Sequence, residues 1–221
     1  MRTNSKVSKE KIISAVLTCS FEKGVGATSL AAISSRLGIK KASLYNHYSS
    51  RDDMISDTVK YCGEVLSKTF FIPNNIEALA SRYSAVSVLK AIVNRWFKLN
   101  EKEPLLLINS FIESEKYFSD DVQEIASEYR QKIIEQTTMA LKNLSDAKRI
   151  KPLTDQQTRD FGVILASTIH DYLDDYIARK KTEIRLKPYT GKDSLFGELV
   201  TESVNYSYAE KIVENFCLLL K

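Results

Sequence analysis

Residues 24–54 read GVGATSLAAISSRLGIKKASLYNHYSSRDDM. The early apolar residues of this stretch recur at the spacing of one helical face: Leu30, Ile33 and Leu37. Gly38 follows them, and a residue without Cβ readily adopts the left-handed conformation that ends a helix in a tight turn. A second short helix is predicted from about Lys40 to His47, with Leu44 and Tyr48 facing inward. The stretch therefore predicts two short helices joined by a glycine turn, which is the geometry of a helix-turn-helix.

The sequence on either side extends this motif into a small helical domain. Apolar residues at helical spacing predict a preceding helix from Ser8 to Lys23, ended by the glycines of the GVG run. A following helix is predicted to begin at Arg51, where two acids complement the positive end of the helix dipole, and to continue to about Phe70. Residues that can cap the first, second and fourth helices precede them: Ser8, Thr28 or Ser29, and Ser49 or Ser50. We expect a helix-turn-helix domain at residues 1–54 and a second domain at 55–221.

The remainder of the chain is also predicted to be helical. Only seven Gly and four Pro occur in 221 residues, which favours long helices over the many turns of a strand-rich protein. Helical periodicity returns after Pro73 in these segments: 76–101, 104–118, 120–148, 156–181 and 205–220. Residues 182–204 are the least periodic and are predicted to form a long loop. The expected fold class is all-α, with a C-terminal helical bundle.

Charge is distributed unevenly along the chain. Residues 1–51 contain nine Lys or Arg and only two acids, Glu10 and Glu22. The other residues carry twenty-three bases and twenty-six acids, so the body of the chain is mildly acidic. A basic head favours contact with a polyanion such as nucleic acid. The alternative is a solvated surface with uneven charge, and charge alone does not separate the two interpretations.

Several classes of function find no support in the sequence. Cys19, Cys62 and Cys217 are far apart and match no metal-ligand spacing, so neither a disulfide framework nor a zinc site is expected. We find no signal peptide and no run long enough to cross a bilayer, which favours a cytoplasmic protein without a membrane partner. No nucleophile elbow, phosphate-binding glycine loop or zinc-protease pattern occurs, so we expect neither an enzyme nor a cofactor. One acidic cluster with a histidine lacks a third spaced ligand and is interpreted as a polar patch rather than a metal site: His170, Asp171, Asp174 and Asp175.

The run at 24–54 resembles the signature of the TetR family of transcriptional regulators. The positions that match in order and spacing are Thr28, Ser29, Ile33, Gly38, Ile39, Ala42, Leu44, Tyr45, His47, Tyr48, Arg51 and Asp53. The preceding helix matches at Ile12, Ala15, Phe21 and Gly24. The departures are small: Ser34 replaces a usual Ala, Ala42 a frequent Gly, and Arg51 a common Lys. The resemblance covers roughly residues 8–56, about a quarter of the chain.

The resemblance implies contacts with DNA around the second short helix. The residues assigned to the phosphate backbone, whose contacts fix register, are Thr28, Tyr45, His47 and Arg51. The residues expected to read base edges are Lys40, Lys41, Ser43 and Asn46. Ser29 completes the predicted DNA-binding set. Taken without the family pattern, these residues leave alternatives open: solvated lysines at 40 and 41, a Tyr45 packed on the first helix, and a His47 that caps a helix C-terminus.

For the C-terminal domain, the resemblance implies ligand binding and dimerisation. The aromatic residues expected to line a pocket for a small apolar or aromatic ligand are Trp96, Phe111, Tyr129 and Phe161. For each of them the alternative is ordinary core packing. The residues expected at a homodimer interface are Tyr172, Tyr176, Ile212 and Phe216. The implied function is a repressor that binds a palindromic double-stranded DNA operator until a ligand releases it, and the alternative is a helical protein–protein interaction module with a basic surface.

Overall fold

Ten helices and no strand are found in the described part of the chain, which is residues 7–186 and 207–221 of a computed structural model. In chain order the helices are α1 (Lys9–Lys23), α2 (Leu30–Leu37), α3 (Lys41–Leu44), α4 (Arg51–Ser67), α5 (Ile76–Arg82), α6 (Ala85–Asn100), α7 (Leu105–Glu115), α8 (Asp120–Asp146), α9 (Asp155–Leu186) and α10 (Ser207–Leu218). Within those two ranges, no helix is both long and apolar enough to span a bilayer. The predicted all-α class is confirmed.

The chain divides into two compact units. The N-terminal unit comprises Met1–Thr69 and Lys102–Tyr129, and the C-terminal unit comprises Phe70–Glu101 and Arg130–Lys221. Helices α1 to α4 and α7 therefore belong to the N-terminal unit, while α5, α6, α9 and α10 belong to the C-terminal unit and α8 contributes to both. The predicted boundary after Met54 falls within α4. As a division between DNA binding and ligand sensing, that boundary stays a prediction.

Serine hydroxyls begin three helices of the N-terminal unit. Ser8, Ser29 and Ser50 each accept a hydrogen bond from the backbone N–H three residues later, at 3.4, 3.1 and 3.0 Å. Each bond satisfies one of the N–H groups that the first turn of a helix leaves without a partner. Of the predicted alternatives, Ser29 rather than Thr28 and Ser50 rather than Ser49 supply the caps.

One apolar cluster holds the first four helices together. Its buried members come from α1, α2, α3, the turn after α3, and α4: Ile12, Ala15, Val16, Cys19, Ile33, Leu44, Tyr48 and Met54. Complete burial of one large aliphatic side chain contributes about 1.5–3 kcal/mol. Helix α1 supplies half of the cluster and also packs against α7. The helix-turn-helix is therefore held in place by tertiary packing on α1.

Two predicted helices are shortened or divided in the structure. Helix α3 ends at Leu44 rather than His47, because the chain closes into a tighter turn in which His47 N donates to Leu44 O at 2.9 Å. The predicted helix at 76–101 is divided at Ser84, whose hydroxyl accepts a bond from Ser87 N at 3.2 Å and begins α6. Apolar spacing continues through this break, so periodicity alone does not reveal it.

The predicted loop at 182–204 begins too early. Helix α9 continues to Leu186, because neither Gly nor Pro occurs between Lys181 and Pro188 to end it. The remainder of the predicted loop, from residue 187, lies outside the described residues. Helix α10 begins at Ser207 and ends at Leu218, close to the predicted 205–220.

In the C-terminal unit, α10 packs against α6 and α9. Lys90 of α6 forms ion pairs with Glu210 and Glu214 of α10, and its Nζ lies 3.4 Å from Glu210 Oε2. Asn94 donates from Nδ2 to Glu210 Oε1 at 2.8 Å. These polar contacts fix the register of the two helices and leave their other faces free to bury apolar side chains such as Trp96.

Replacing Gly38 with Ala is expected to destabilise the N-terminal unit by about 1–2 kcal/mol, the cost of placing a residue with Cβ in the left-handed conformation. Gly38 has φ 65° and ψ 30°. No other atom lies within 4 Å of where its Cβ would be, so backbone strain rather than a clash is responsible. Urea denaturation followed by circular dichroism measures the change. Gly26→Ala is the control, since Gly26 has equally open surroundings and no positive φ. Equal losses in the two variants would contradict this account.

Candidate nucleic-acid interface

The turn between α2 and α3 sets the direction of α3. Ile39 N donates to Ser34 O at 3.0 Å and Gly38 N donates to Ser35 O at 3.1 Å, so the last carbonyls of α2 are satisfied by the turn itself. After this turn, Leu44 and Tyr48 point inward as predicted and are only 1% and 6% exposed. The opposite side of the same short segment is left facing outward.

The outward side of α3 and its following turn carries a continuous set of polar side chains, here called the α3 surface. Its members are Lys40, Lys41, Ser43, Tyr45, Asn46 and His47. Four of them are exposed, and Ser43 and His47 are half-buried. Tyr45 is 52% exposed. Across the described ranges, Lys40 and Lys41 take part in no salt bridge, so their charges are available to an external anion.

Other cations of the basic head are already paired within the N-terminal unit. Arg36 forms an ion pair with Glu22, which ties α2 to the end of α1. Lys9 Nζ lies 3.7 Å from Asp57 Oδ2 and 4.9 Å from the centre of the Tyr48 ring. Part of the positive charge of residues 1–51 is therefore used in internal contacts, while Lys40 and Lys41 lie on the α3 surface.

Tyr48 anchors the end of the α3 segment to α4. Its hydroxyl donates to Asp57 Oδ2 at 2.6 Å. Burial, followed by the neighbouring Asp57 carboxylate, raises the pKa of the Tyr48 hydroxyl far above its ordinary value. The hydroxyl therefore keeps its proton and acts as a donor at every pH at which the protein is expected to work.

Thr28 points into the protein. Its side chain is 1% exposed, its hydroxyl donates to Gly24 O at 2.9 Å, and it lies 3.3 Å from Ser20 Oγ. These contacts hold the turn between α1 and α2. The structure gives Thr28 an internal role, and its contact with DNA stays a prediction.

Arg51 joins the first turn of α4 to the turn between α1 and α2. Its Nε donates to Thr28 O at 2.8 Å, and its Nη2 donates to Val25 O. The planar fork of a guanidinium holds two such donors in a fixed geometry. The carboxylate oxygen Oδ1 of Asp52 lies 3.6 Å from Nη1 of Arg51. Sequence reasoning missed this anchor because the bonded residues are 23 and 26 positions apart, beyond the reach of any local pattern.

The N-terminal residues match a known family model. Residues 12–58 match the model described as bacterial regulatory proteins, tetR family. Over these residues the chain is similar to the TetR family. The match covers α1 to the first half of α4, which is the part of the chain that builds and presents the α3 surface.

Three individual proteins are similar to this chain in sequence or in fold. The biofilm operon icaADBC HTH-type negative transcriptional regulator IcaR of Staphylococcus aureus strain Newman is 32% identical over 94 residues, which are 42% of this chain and 48% of IcaR. The alignment thus spans about half the length of that relative. A TetR transcription regulator from Haloarcula marismortui has a TM-score of 0.61 at 11% identity, with 96% of this chain and 97% of that chain covered. The multidrug binding protein EbrR complexed with malachite green has a TM-score of 0.52 at 11% identity, with 95% and 97% covered. The last two show a shared fold.

The four pocket residues predicted from the TetR resemblance are divided between the two units. The C-terminal unit contains Trp96 and Phe161, and the N-terminal unit contains Phe111 and Tyr129. Trp96 stacks on Phe71, with ring centres 4.8 Å apart and planes at 10°. Phe161 meets the ring of Phe216 edge-on at 6.0 Å. Trp96 and Phe161 therefore have packing partners within their own unit. A role in ligand binding stays a prediction for all four residues.

The predicted dimer residues also have partners within their own chain. The Tyr172 ring centre lies 5.7 Å from that of Phe97 and 5.4 Å from that of Tyr208. Tyr176 donates to Glu101 Oε1 at 3.3 Å, and burial raises the pKa of its hydroxyl. Ile212 is half-buried and Phe216 is buried. The homodimer interface stays a prediction for all four residues.

Replacing Arg51 with Ala is expected to lower the free energy of unfolding of the N-terminal unit by about 1–3 kcal/mol, because two hydrogen bonds from a charged donor are lost at a half-buried site. Arg51→Lys should recover at most part of the loss, since an ammonium lacks the fork. Lys41→Ala is the matched control, because it removes one positive charge without removing any hydrogen bond of the turn. Denaturation midpoints measure all three variants. Equal midpoints for Arg51→Ala and Lys41→Ala would show that the anchor contributes nothing to stability.

Proposed function

We propose that this chain is a transcriptional repressor that binds DNA at specific sequences and leaves it when a small molecule binds. The observation that carries the proposal is the α3 surface, where two lysines that pair with no acid of the described ranges lie beside an exposed tyrosine and an exposed asparagine. A short helix held by its buried side, with such residues outward, suits entry into a major groove. Repression rather than activation is supported by the name of IcaR as a negative transcriptional regulator. A protein that acts on a bacterial chromosome works in the cytoplasm.

The α3 surface divides into base-reading and phosphate-contacting residues. Lys40, Lys41, Ser43 and Asn46 are assigned to base edges: lysine donates to guanine O6 and N7, and asparagine pairs with adenine through two hydrogen bonds. Tyr45 and His47 are assigned to phosphate oxygens, whose contacts set register.

The residues that precede and follow the α3 surface help to place it on the DNA backbone. Ser29 is exposed at the start of α2 and is assigned to a backbone contact. Arg51 uses Nε and Nη2 internally, so only its remaining N–H groups are assigned to phosphate. Thr28 is assigned to the positioning of the turn, because its hydroxyl is buried.

A homodimer would present two α3 surfaces to a palindromic operator. Recognition helices about 34–36 Å apart, or a multiple of one DNA turn, meet successive major grooves on one side of the duplex. Exposed apolar side chains on the last two helices provide a surface for pairing: Val163 and Ile164 on α9, and Tyr208, Leu218 and Leu219 on or beside α10. The predicted interface residues lie on the same helices, and burial of this surface would supply the driving force.

Release by a ligand requires two states of the dimer that differ in the placement of the α3 surfaces. A ligand that binds one state better shifts the population toward it, and DNA shifts it back by the same coupling free energy, typically about 1–3 kcal/mol. Helix α4 is assigned to this coupling, because Arg51 ties its first turn to the turn that precedes α2. EbrR, which has a related fold, is described as binding malachite green, and that supports an organic ligand.

The experiment that tests the proposed function is selection of bound sequences from a random duplex DNA pool, with purified full-length protein at near-physiological salt. A palindromic consensus is the expected result. Selection repeated in the presence of metabolite extracts covers the case in which a ligand is needed for binding. Absence of enrichment in both formats, from a folded dimer, would overturn the proposal and favour a protein–protein interaction module.

Replacing Lys41 with Ala is expected to weaken binding to the selected consensus about tenfold or more, since one good base contact contributes about 1–3 kcal/mol of discrimination. Binding to non-specific duplex should change much less. Lys98→Ala is the control, because Lys98 is exposed on α6 in the C-terminal unit and the charge change is identical. Fluorescence anisotropy at several salt concentrations gives both affinities. Equal losses on consensus and non-specific DNA, with a smaller salt slope, would reassign Lys41 to phosphate.

Replacing Ile164 with Glu is expected to convert the dimer to monomer at micromolar concentration, because a carboxylate buried in an apolar interface has no partner there. Ile164 is 49% exposed on α9. Tyr83→Glu is the control, since Tyr83 is 53% exposed between α5 and α6 and is not assigned to the interface. Sedimentation velocity measures the association state. A dimeric Ile164→Glu variant would exclude this part of α9 from the interface.

A further inference from the structure

Two buried side-chain donors of the C-terminal unit lack an acceptor. Trp96 Nε1 and Gln136 Nε2 are inaccessible to solvent, and neither has a hydrogen-bond partner within residues 7–186 and 207–221. The two side chains are 1% and 3% exposed. Folded proteins satisfy the great majority of buried polar groups, because an unmade hydrogen bond leaves the cost of desolvation uncompensated. Two such donors in one unit therefore indicate a missing acceptor.

The side chains that carry the two donors both contact Phe71. Gln136 Oε1 accepts hydrogen bonds from Phe71 N at 2.9 Å and from Ile72 N at 3.3 Å. These two backbone donors fix the orientation of the amide, since only its oxygen can accept from them, and Nε2 is consequently turned away from the backbone. The indole of Trp96 stacks on the ring of Phe71. Trp96 and Gln136 thus both contact Phe71, the first through its ring and the second through its backbone.

His170 connects Trp96 to a small cavity that neither Trp96, Gln136 nor Phe71 lines. The His170 ring centre is 6.3 Å from that of Trp96, and His170 also lines a cavity of about 10 Å³. The other lining residues are Arg130, Ser167, Ile133, Ile134 and Ala166. Arg130 Nη2 donates to Ser167 Oγ at 3.1 Å, and His170 lies 3.5 Å from Asp174. The cavity has room for about one water molecule as it stands, so a larger ligand enters by displacing side chains.

Two more buried oxygens have no hydrogen-bond partner among the described residues, Asn94 Oδ1 and Thr138 Oγ1, and both side chains lie at contacts between helices. Asn94 uses its amide nitrogen to bind Glu210 of α10, which places its side chain at the α6–α10 contact. Thr138 lies against Gly162 of α9, where any Cβ at residue 162 would collide with the threonine hydroxyl. Neither atom offers an acceptor to the donors around Phe71.

We propose that the C-terminal unit binds a small aromatic ligand through a carbonyl or carboxylate oxygen, which accepts hydrogen bonds from Trp96 Nε1 and Gln136 Nε2. The ring of the ligand packs with Phe71 and the apolar wall of the cavity. This inference rests on the proposed function in one respect: the proposed function gives the ligand its role as the signal that releases DNA. The positive charge of Arg130 favours a carboxylate ligand. A neutral carbonyl ligand would be held by the two N–H donors alone.

The test compares four small benzene derivatives that carry different substituents: benzoate, acetophenone, benzylamine and toluene. Isothermal titration calorimetry gives the affinities, and the emission of Trp96, the single tryptophan of the chain, reports binding at the site itself. Benzoate or acetophenone is expected to bind with a change in emission, at least about tenfold more tightly than benzylamine and toluene. Preference for benzoate assigns an anionic ligand, and similar binding of acetophenone assigns a neutral acceptor.

Two conservative variants test the assigned donors. Gln136→Glu keeps the oxygen that accepts from Phe71 N but replaces the NH₂ donor with an oxygen, and Trp96→Phe keeps a ring for stacking but removes the N–H. Each is expected to lose about tenfold or more in affinity for the acceptor probe. Gln131→Glu is the matched control, because it makes the same chemical change at an exposed position of α8. Thermal unfolding and circular dichroism confirm that each variant is folded.

Operator binding separates failure of the site from failure of the proposed function. Variants that lose the probe but keep the selected DNA consensus support the ligand site. If the protein binds the probe but selects no DNA sequence, the ligand site is supported and the proposed repressor function is wrong. Equal affinity for all four probes, binding that ignores both variants, or absence of binding with a crystallographic water bridging the two donors would each overturn the site.

Discussion

The apolar face of α1 is the surface on which the N-terminal unit is built. Helix α3 has four residues, which are too few for a stable isolated helix. Ordering the backbone of the first helical turn costs more free energy than its hydrogen bonds contribute. Leu44 and Tyr48 hold the segment by packing into the cluster that α1 supplies with Ile12 and Val16. The outward direction of the α3 surface is therefore a consequence of burial on the other side of the same segment.

Hydrogen bonds between distant residues add direction to this packing. Arg51 bonds to the carbonyls of the turn before α2, and Tyr48 bonds to Asp57 of α4. Several positions of the TetR signature thus have internal roles, while Lys40 and Lys41 keep their charges for an external partner. A signature of this kind combines both sorts of residue, because a recognition helix must be held in position as well as chemically suited to DNA.

The C-terminal unit presents a different balance of forces. Its helices are joined by apolar packing and by ion pairs at the α6–α10 contact, yet two buried donors at Phe71 have no acceptor among the residues that the structure describes. Such groups reduce the stability of the empty protein, and a ligand that satisfies them stabilises the state to which it binds. In this view the sensing unit keeps an incomplete hydrogen-bond network that a suitable oxygen completes, which couples ligand chemistry to the population of one conformation.

The sequence by itself determined the all-α class, the helix-turn-helix at α2–α3 and the resemblance of the N-terminal residues to the TetR family, because caps, the glycine turn and apolar spacing are local and act within a few residues. It also determined which polar residues of α3 face outward, since the inward positions of Leu44 and Tyr48 set the opposite face. Only the tertiary structure decided that Thr28 is buried, that Arg51 anchors a turn 23 residues away, and that Trp96 and Gln136 meet at Phe71. These contacts depend on how the helices pack against one another. Packing brings together residues that are far apart in the sequence and that no helical periodicity connects.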